Sequence, residues 1–133
     1  MKRALIVAGI LLIFNNLTSC TTAYNVKYIH KQNYHISEQL MVPVGGVMIQ
    51  KSNHRVFRGV DYLDDMEEII YVGTKGDIVT LNYRQTYNKG YPVNYTHDFV
   101  YDISKSRVIT LREYRMLIIE ASNTSITFKV VAD

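Results

Sequence analysis

Two alternating runs limit most tightly what this chain can fold into: Asp77 to Tyr87 and Val93 to Ile103, separated by the turn-forming stretch "NKGYP". Successive side chains of an extended strand point to opposite faces. In the first run Val79, Leu81, Tyr83, Gln85 and Tyr87 therefore share one side, and Ile78, Thr80, Asn82, Arg84 and Thr86 share the other. In the second, Val93, Tyr95, His97, Phe99 and Tyr101 fall together. If the loop from Asn88 to Pro92 closes a hairpin that pairs Tyr87 with Val93, Tyr83 stands opposite His97 and Leu81 opposite Phe99. Both apolar sets then lie on one side of the sheet, which is the expected core; a slip of one residue would turn one of them to water.

Shorter runs of the same character flank this hairpin. Strands are predicted near Val47 to Lys51 and Arg55 to Arg58, with a polar turn at Ser52 to His54 between them and a loop over "VDYLDDMEE" after them. Further strands are predicted over Glu67 to Gly73, Arg107 to Arg112, Arg115 to Ala121 and Ser125 to Val131, joined by "TKGD", "SKS", "EY" and "SNT". Eleven tyrosines and no tryptophan suit half-buried pleated surfaces, where the ring packs and the hydroxyl reaches water. The expected fold is all-β, an antiparallel meander forming a small β-sandwich or a partly open β-barrel.

The face opposite the expected core is mixed. It is read as carrying Arg84, Asn82, Asp98 and Asp102 together with Ile78, Val100, Ile69 and Tyr71. Such a face is either covered by the first part of the chain or left open for a partner. Arg84, Tyr71 and Val100 are the candidate interaction residues. The alternative candidate site is a tyrosine-lined interior, Tyr83, Tyr95 and Tyr101, holding a small amphipathic ligand inside a small barrel.

At the other end of the chain, Lys2 and Arg3 precede an apolar or small run from Ala4 to Phe14. That run is too short to cross a bilayer, which takes roughly 20 residues, and its layout is that of a signal peptide. The residues closing it, Leu17-Thr18-Ser19-Cys20, resemble the bacterial lipobox. The resemblance implies lipid transfer to the Cys20 sulfur, cleavage before Cys20 and acylation of the new amino terminus. Several acyl chains hold a protein stably on a membrane, each buried CH₂ contributing about 0.8 kcal/mol. In lipoproteins of enteric bacteria an aspartate after the cysteine favours inner-membrane retention; Thr21 stands there, so the resemblance implies the outer membrane, facing the periplasm, with the cell surface as the alternative.

Lipidation would consume the chain's only thiol, leaving none for a disulfide, a nucleophile or a metal cluster. The expected organisation is a signal peptide over 1–19, a lipidated N-terminus and tether over 20–37 with a short strand near Val26 to Ile29, and a β-rich periplasmic domain over 38–133. Removing the signal peptide removes two of the 15 Lys and Arg and none of the 12 Asp and Glu, which leaves 13 against 12 and a net charge of +1. A domain so close to neutral has no electrostatic basis for nucleic-acid binding.

Three constellations have chemistry in them. The acidic residues Asp61, Asp64, Asp65, Glu67 and Glu68 lack the spacing and the glycine of a calcium loop, and read as a solvated turn. His30, His35, His54 and His97 are scattered, without the close pair of a metal-binding helix, and His97 reads as a core-edge residue. No G-x-S-x-G elbow marks a nucleophile. Lys51, His54, Arg55 and Arg58, and separately Arg107, Arg112 and Arg115, form small basic clusters that suit strand edges or an acidic partner. The expectation is a non-catalytic module with no cofactor beyond the lipid on Cys20.

The runs "IYVGTKGDIVTLNYR", "YDI" and "EASNTSI" are similar to a pattern in small uncharacterised lipoproteins of Gram-negative bacteria. That likeness covers Glu67 to Val131 and implies a continuous β-rich unit without an assigned activity. Together with the lipobox, it leads to the expectation of an outer-membrane-anchored interaction module, accessory to an envelope protein complex. Cys20→Ala is expected to leave an unprocessed or soluble precursor; membrane fractionation unchanged from wild type would sink the anchor.

Overall fold

The computed structural model describes residues 25–90 and 92–133, so the expected signal peptide and Cys20 lie outside it. Among the described residues nine strands follow in order: β1 (Lys27–Gln32), β2 (Gln39–Pro43), β3 (Val47–Phe57), β4 (Val60–Lys75), β5 (Ile78–Tyr87), β6 (Val93–Asp102), β7 (Val108–Leu111), β8 (Tyr114–Ala121) and β9 (Ser125–Ala132). They form two antiparallel sheets, one in the order β1-β3-β4-β5-β6 and the other β2-β9-β8-β7. The fold is all-β and sandwich-like, and it does not close into a barrel.

The central hairpin has the register read from alternation. Tyr87 pairs with Val93, Tyr83 with His97 and Leu81 with Phe99. Val79, Leu81 and Tyr83 are fully buried against Ile109, Leu111, Met116, Ile118, Ile126 and Phe128 of the smaller sheet. A buried aliphatic side chain of this kind contributes about 1.5–3 kcal/mol.

Tyr71 and Ile69 are on the other face from the one expected. Both are fully buried in the core, because Tyr71 pairs with Leu81 and Ile69 with Tyr83. The hairpin begins with Lys75 opposite Ile78, a register that, continued unbroken, would set Tyr71 beside the outward Asn82. A bulge between Tyr71 and Gly73 leaves Val72 without a partner and inverts the parity of everything before it. Gly73 sits in this bulge at φ 147°, a conformation that favours glycine.

Two further segments differ from expectation for one reason. The turn predicted at Ser52 to His54 and the loop predicted over Val60 to Glu68 are the middle of β3 and the first half of β4. Their polar side chains satisfy one another across the strands: Asn53 Nδ2 donates to Asp65 Oδ1 at 2.7 Å, and Gln50 Nε2 to Glu68 Oε1 at 3.0 Å. The turn that joins them is Arg58-Gly59, at φ 52° and 78°. This two-residue connection with both φ positive matches the twist of the strands it joins.

Residues 27–37 are not a tether. β1 pairs with β3 from Lys27 opposite Val56 to Gln32 opposite Lys51. Tyr34 is buried, meets Tyr114 edge-on at 6.2 Å, and donates to the Asp133 carboxylate. Ser37 N–H donates to Val130 C=O at 2.8 Å. β2 then crosses to the second sheet to pair with β9.

The mixed outer face stays open among the described residues. Val100 is 63% exposed, and Arg84 is also exposed, its Nε donating to Asn82 Oδ1 at 2.9 Å. Leu81→Ala is expected to lower stability by about 2–5 kcal/mol, whereas Val100→Ala should change it by about 0.5 kcal/mol or less. Equal effects in denaturant melts would show that the faces are assigned wrongly.

Candidate functional site

Three features of the larger sheet have functional potential; the first two follow from its reaching past the smaller one, and the third lies on its outer face. The first is β6, the last strand of its sheet, which among the described residues pairs only with β5. Its ten residues run in unbroken register and contain no lysine, proline or bulge; its charged side chains are Asp98, which accepts from Asn82 Nδ2 at 2.6 Å, and Asp102 at its end. On its inner side an aromatic row emerges from the core. Tyr95 meets buried Tyr83 at 6.2 Å and stacks on His97 at 6.4 Å, and His97 meets Phe99 edge-on at 4.8 Å. Tyr95 is 47% exposed and His97 is also exposed. The expected core-edge histidine is thus the middle of an exposed aromatic row.

The second feature is a polar cleft of about 330 Å³ where the inner face of β3, β4 and β5 runs out from under β7 and β8. Lys51, Asn53, Asp65, Glu67, Gln85, Tyr87 and Glu113 line it. At its base Glu67 is held by three donors: Oε1 accepts from Tyr83 Oη at 2.9 Å and Gln85 Nε2 at 3.2 Å, and Oε2 accepts from Tyr114 Oη at 2.7 Å. Lys51 reaches Glu113 at 3.4 Å and Asp133 at 3.9 Å, and lies over the Tyr114 ring. Burial, and then the carboxylate it donates to, drive the Tyr34 and Tyr114 hydroxyls well above the ordinary phenol range; Tyr83 is pushed up to about 12 by burial, with Arg112 opposing and Glu67 adding to the rise.

The third lies on the outer face of β3 and β4. Ser52 and His54, two apart on β3, point the same way. Ser52 Oγ is 2.9 Å from His54 Nε2, and His54 Nδ1 is 2.7 Å from Asp61 Oδ1. Lys31 Nζ donates to the second Asp61 oxygen at 3.0 Å. The Lys31 hydrogen bond first, and the His54 bond second, hold the Asp61 carboxyl below the usual carboxylate range. A cavity of about 310 Å³ opens beside this chain, lined by Ser52, His54, Lys31, Gln32, Asn33, Gln50, Leu63 and Met66.

Of the residues singled out from sequence, Arg84 and Val100 are on the outer face, and Tyr71 is in the core, its hydroxyl donating to Ser122 C=O at 2.6 Å. They form no common surface. Tyr83, Tyr95 and Tyr101 do share the inner side, but Tyr95 pairs with Gln85 and Tyr101 with Val79. Six residues of strand separate those two, about 20 Å. Tyr101 donates to Thr110 C=O at 3.2 Å and Tyr83 is packed beneath Arg112. The sheets do not close into a barrel, and these rings do not converge on one small ligand.

The basic cluster Lys51, His54, Arg55 and Arg58 is divided by the same alternation. Lys51 faces inward and His54 outward, and Arg55 pairs with the buried Asp64 at 3.6 Å. The acidic run divides likewise between Lys31 and His54, Arg55 and Lys89, Asn53, the tyrosines, and Gln50. Ser52, His54 and Asp61 escaped the sequence reading because they were assigned to a turn and a loop. The available signal was Arg58-Gly59 between two runs of alternating polarity. Comparison with known proteins finds no matching family model, no similar curated protein and no similar solved structure.

The raised tyrosines set a pH dependence. A phenol held neutral in the fold contributes stability that is complete below its unfolded value, about 10, and is lost as pH rises toward its folded value. Melting temperature is expected to fall steeply above about pH 10, with the tyrosinate absorbance of Tyr34, Tyr83 and Tyr114 appearing only together with unfolding. Titration of all the tyrosines near pH 10 in the folded protein would overturn this.

Proposed function

We propose that this chain is a lipoprotein of the outer membrane, anchored through Cys20 and facing the periplasm, whose domain takes up an extended segment of an envelope protein alongside β6. The observation that carries the reading is the ten-residue edge of β6, which has no strand beyond it among the described residues, with its exposed aromatic row. Strand addition of this kind draws affinity from main-chain hydrogen bonds and specificity from alternate side chains. Here the inner side would select apolar or aromatic residues beside Tyr95, His97 and Phe99. The outer side, with Asn94, Thr96, Asp98 and Val100, would accept smaller or polar ones.

The anchor supports a short reach. Lys27 stands seven residues after Cys20, a span of at most about 25 Å. A partner would therefore be met close to the lipid surface. Net charge near zero supports recognition by shape and hydrogen bonding over long-range steering.

Lysine at an edge opposes strand addition without disturbing the fold behind it. Thr96→Lys with Val100→Lys is expected to leave the melting temperature within a few degrees of wild type and to reduce in-cell crosslinking to the partner about tenfold or more. Crosslinking that survives the double substitution would remove β6 as the docking edge. Loss of a crosslink between two copies of this chain would make the second copy the occupant.

A further inference from the structure

We propose that Ser52, His54 and Asp61 form a nucleophile site that transfers the acyl group of a small ester. The site lies on the outer face of β3 and β4, two strands from the docking edge, and is independent of it.

The argument begins with the order of the hydrogen bonds. His54 Nδ1 lies 2.7 Å from Asp61 Oδ1, and a carboxylate can only accept, so the ring hydrogen is on Nδ1. In the neutral ring Nε2 is then an acceptor, and at 2.9 Å it faces the Ser52 hydroxyl. That is the tautomer and the order of contacts a general base needs to draw a proton from serine. The strand builds this arrangement without an elbow. Residues 52 and 54 share a face, and the bulge at Asp64 brings Leu63 opposite His54 so that Asp61 shares that face. Lys31, opposite Ser52 on β1, holds Asp61 from its other oxygen at 3.0 Å.

The adjoining cavity of about 310 Å³ has room for a short acyl group, with Met66 and Leu63 as its apolar wall. Ser52 Oγ would bond to the ester carbonyl carbon while His54 Nε2 takes the hydroxyl proton. The bond to the leaving alcohol then breaks, and His54 returns that proton to its oxygen. A water repeats the sequence on the acyl-serine, releasing the acid and restoring the hydroxyl. Ser52 lies between β1 and β4, with its backbone engaged in the ladders. Charge on the carbonyl oxygen therefore falls to the Lys31 ammonium in the cavity wall, which keeps two hydrogens beyond the one it gives Asp61, whereas the Gln50 carboxamide is already engaged by Glu68 and Met66.

The experiment treats the full-length chain with a fluorophosphonate probe and, separately, with p-nitrophenyl acetate. The expected result is a phosphonylated Ser52 in peptide mapping, absent from Ser52→Ala and formed about 100-fold more slowly in His54→Ala, with nitrophenolate release following the same order. The Thr96→Lys, Val100→Lys protein is expected to label at the wild-type rate, which separates this site from docking at β6. Folded wild-type protein that gives no adduct at Ser52, or labels as fast without His54, would overturn the proposal; the wild-type result stands whether or not the variants fold.

Discussion

Each side chain of β4 has to choose one of two faces, and the pairing of this strand with β3 and β5 makes that choice for most of the molecule. β4 runs for 16 residues between two long partners. Its bulges at Asp64 and Val72 shift the pairing by one residue each. Between them Glu67, Ile69 and Tyr71 point inward, toward Tyr83, Tyr114 and the core. Beyond the first bulge, Asp61 and Leu63 turn outward to meet His54. Core, cleft and outer polar chain are therefore consequences of where two extra residues are inserted.

The unequal reach of the two sheets explains why one of them leaves part of its inner face uncovered. β7 has four residues, whereas β5 and β6 have ten each. The smaller sheet can bury only the middle of the larger one. What remains uncovered on the inner side is lined by Lys51, Glu67 and Gln85 at one place and by Tyr95 and His97 at another. Such a surface stays ordered because its side chains bond to one another and to the last buried ring. Tyr83 links the two regions, donating to Glu67 while packing edge-on against Tyr95. Its burial below the Arg112 guanidinium ties the β7–β8 turn to the same point.

Much of the fold was legible in local pattern. The β5–β6 register followed from alternation and the loop between the strands: a slip of one residue would put Leu81 and Phe99 on opposite sides, and the loop length chooses among the pairings that keep them together. The later strands were legible from apolar runs and short turns. The hairpin of β3 and β4 was not, because Ser52, Asn53, Asp61 and Asp64 have compositions common to loops. They become strand only when cross-strand partners satisfy them, as Asp65 does for Asn53. Tyr34 was hidden for a similar reason: an isolated aromatic in polar surroundings carries no period, and only Tyr114 and Asp133 give it a place.

What the amino-acid sequence determined by itself is the material and the principal hairpin: an all-β chain, alternating strands, and one face apolar enough to be a core. Those properties depend on neighbours a few residues apart, and local periodicity records them. Only the tertiary structure decided the faces of β4, the capture of residues 27–37, the position of β6 at the end of its sheet and the meeting of Ser52, His54 and Asp61. These depend on bulges and on pairing between distant segments. A bulge changes side-chain parity by one residue and leaves composition untouched, so it is decided where the packed sheets leave room for it.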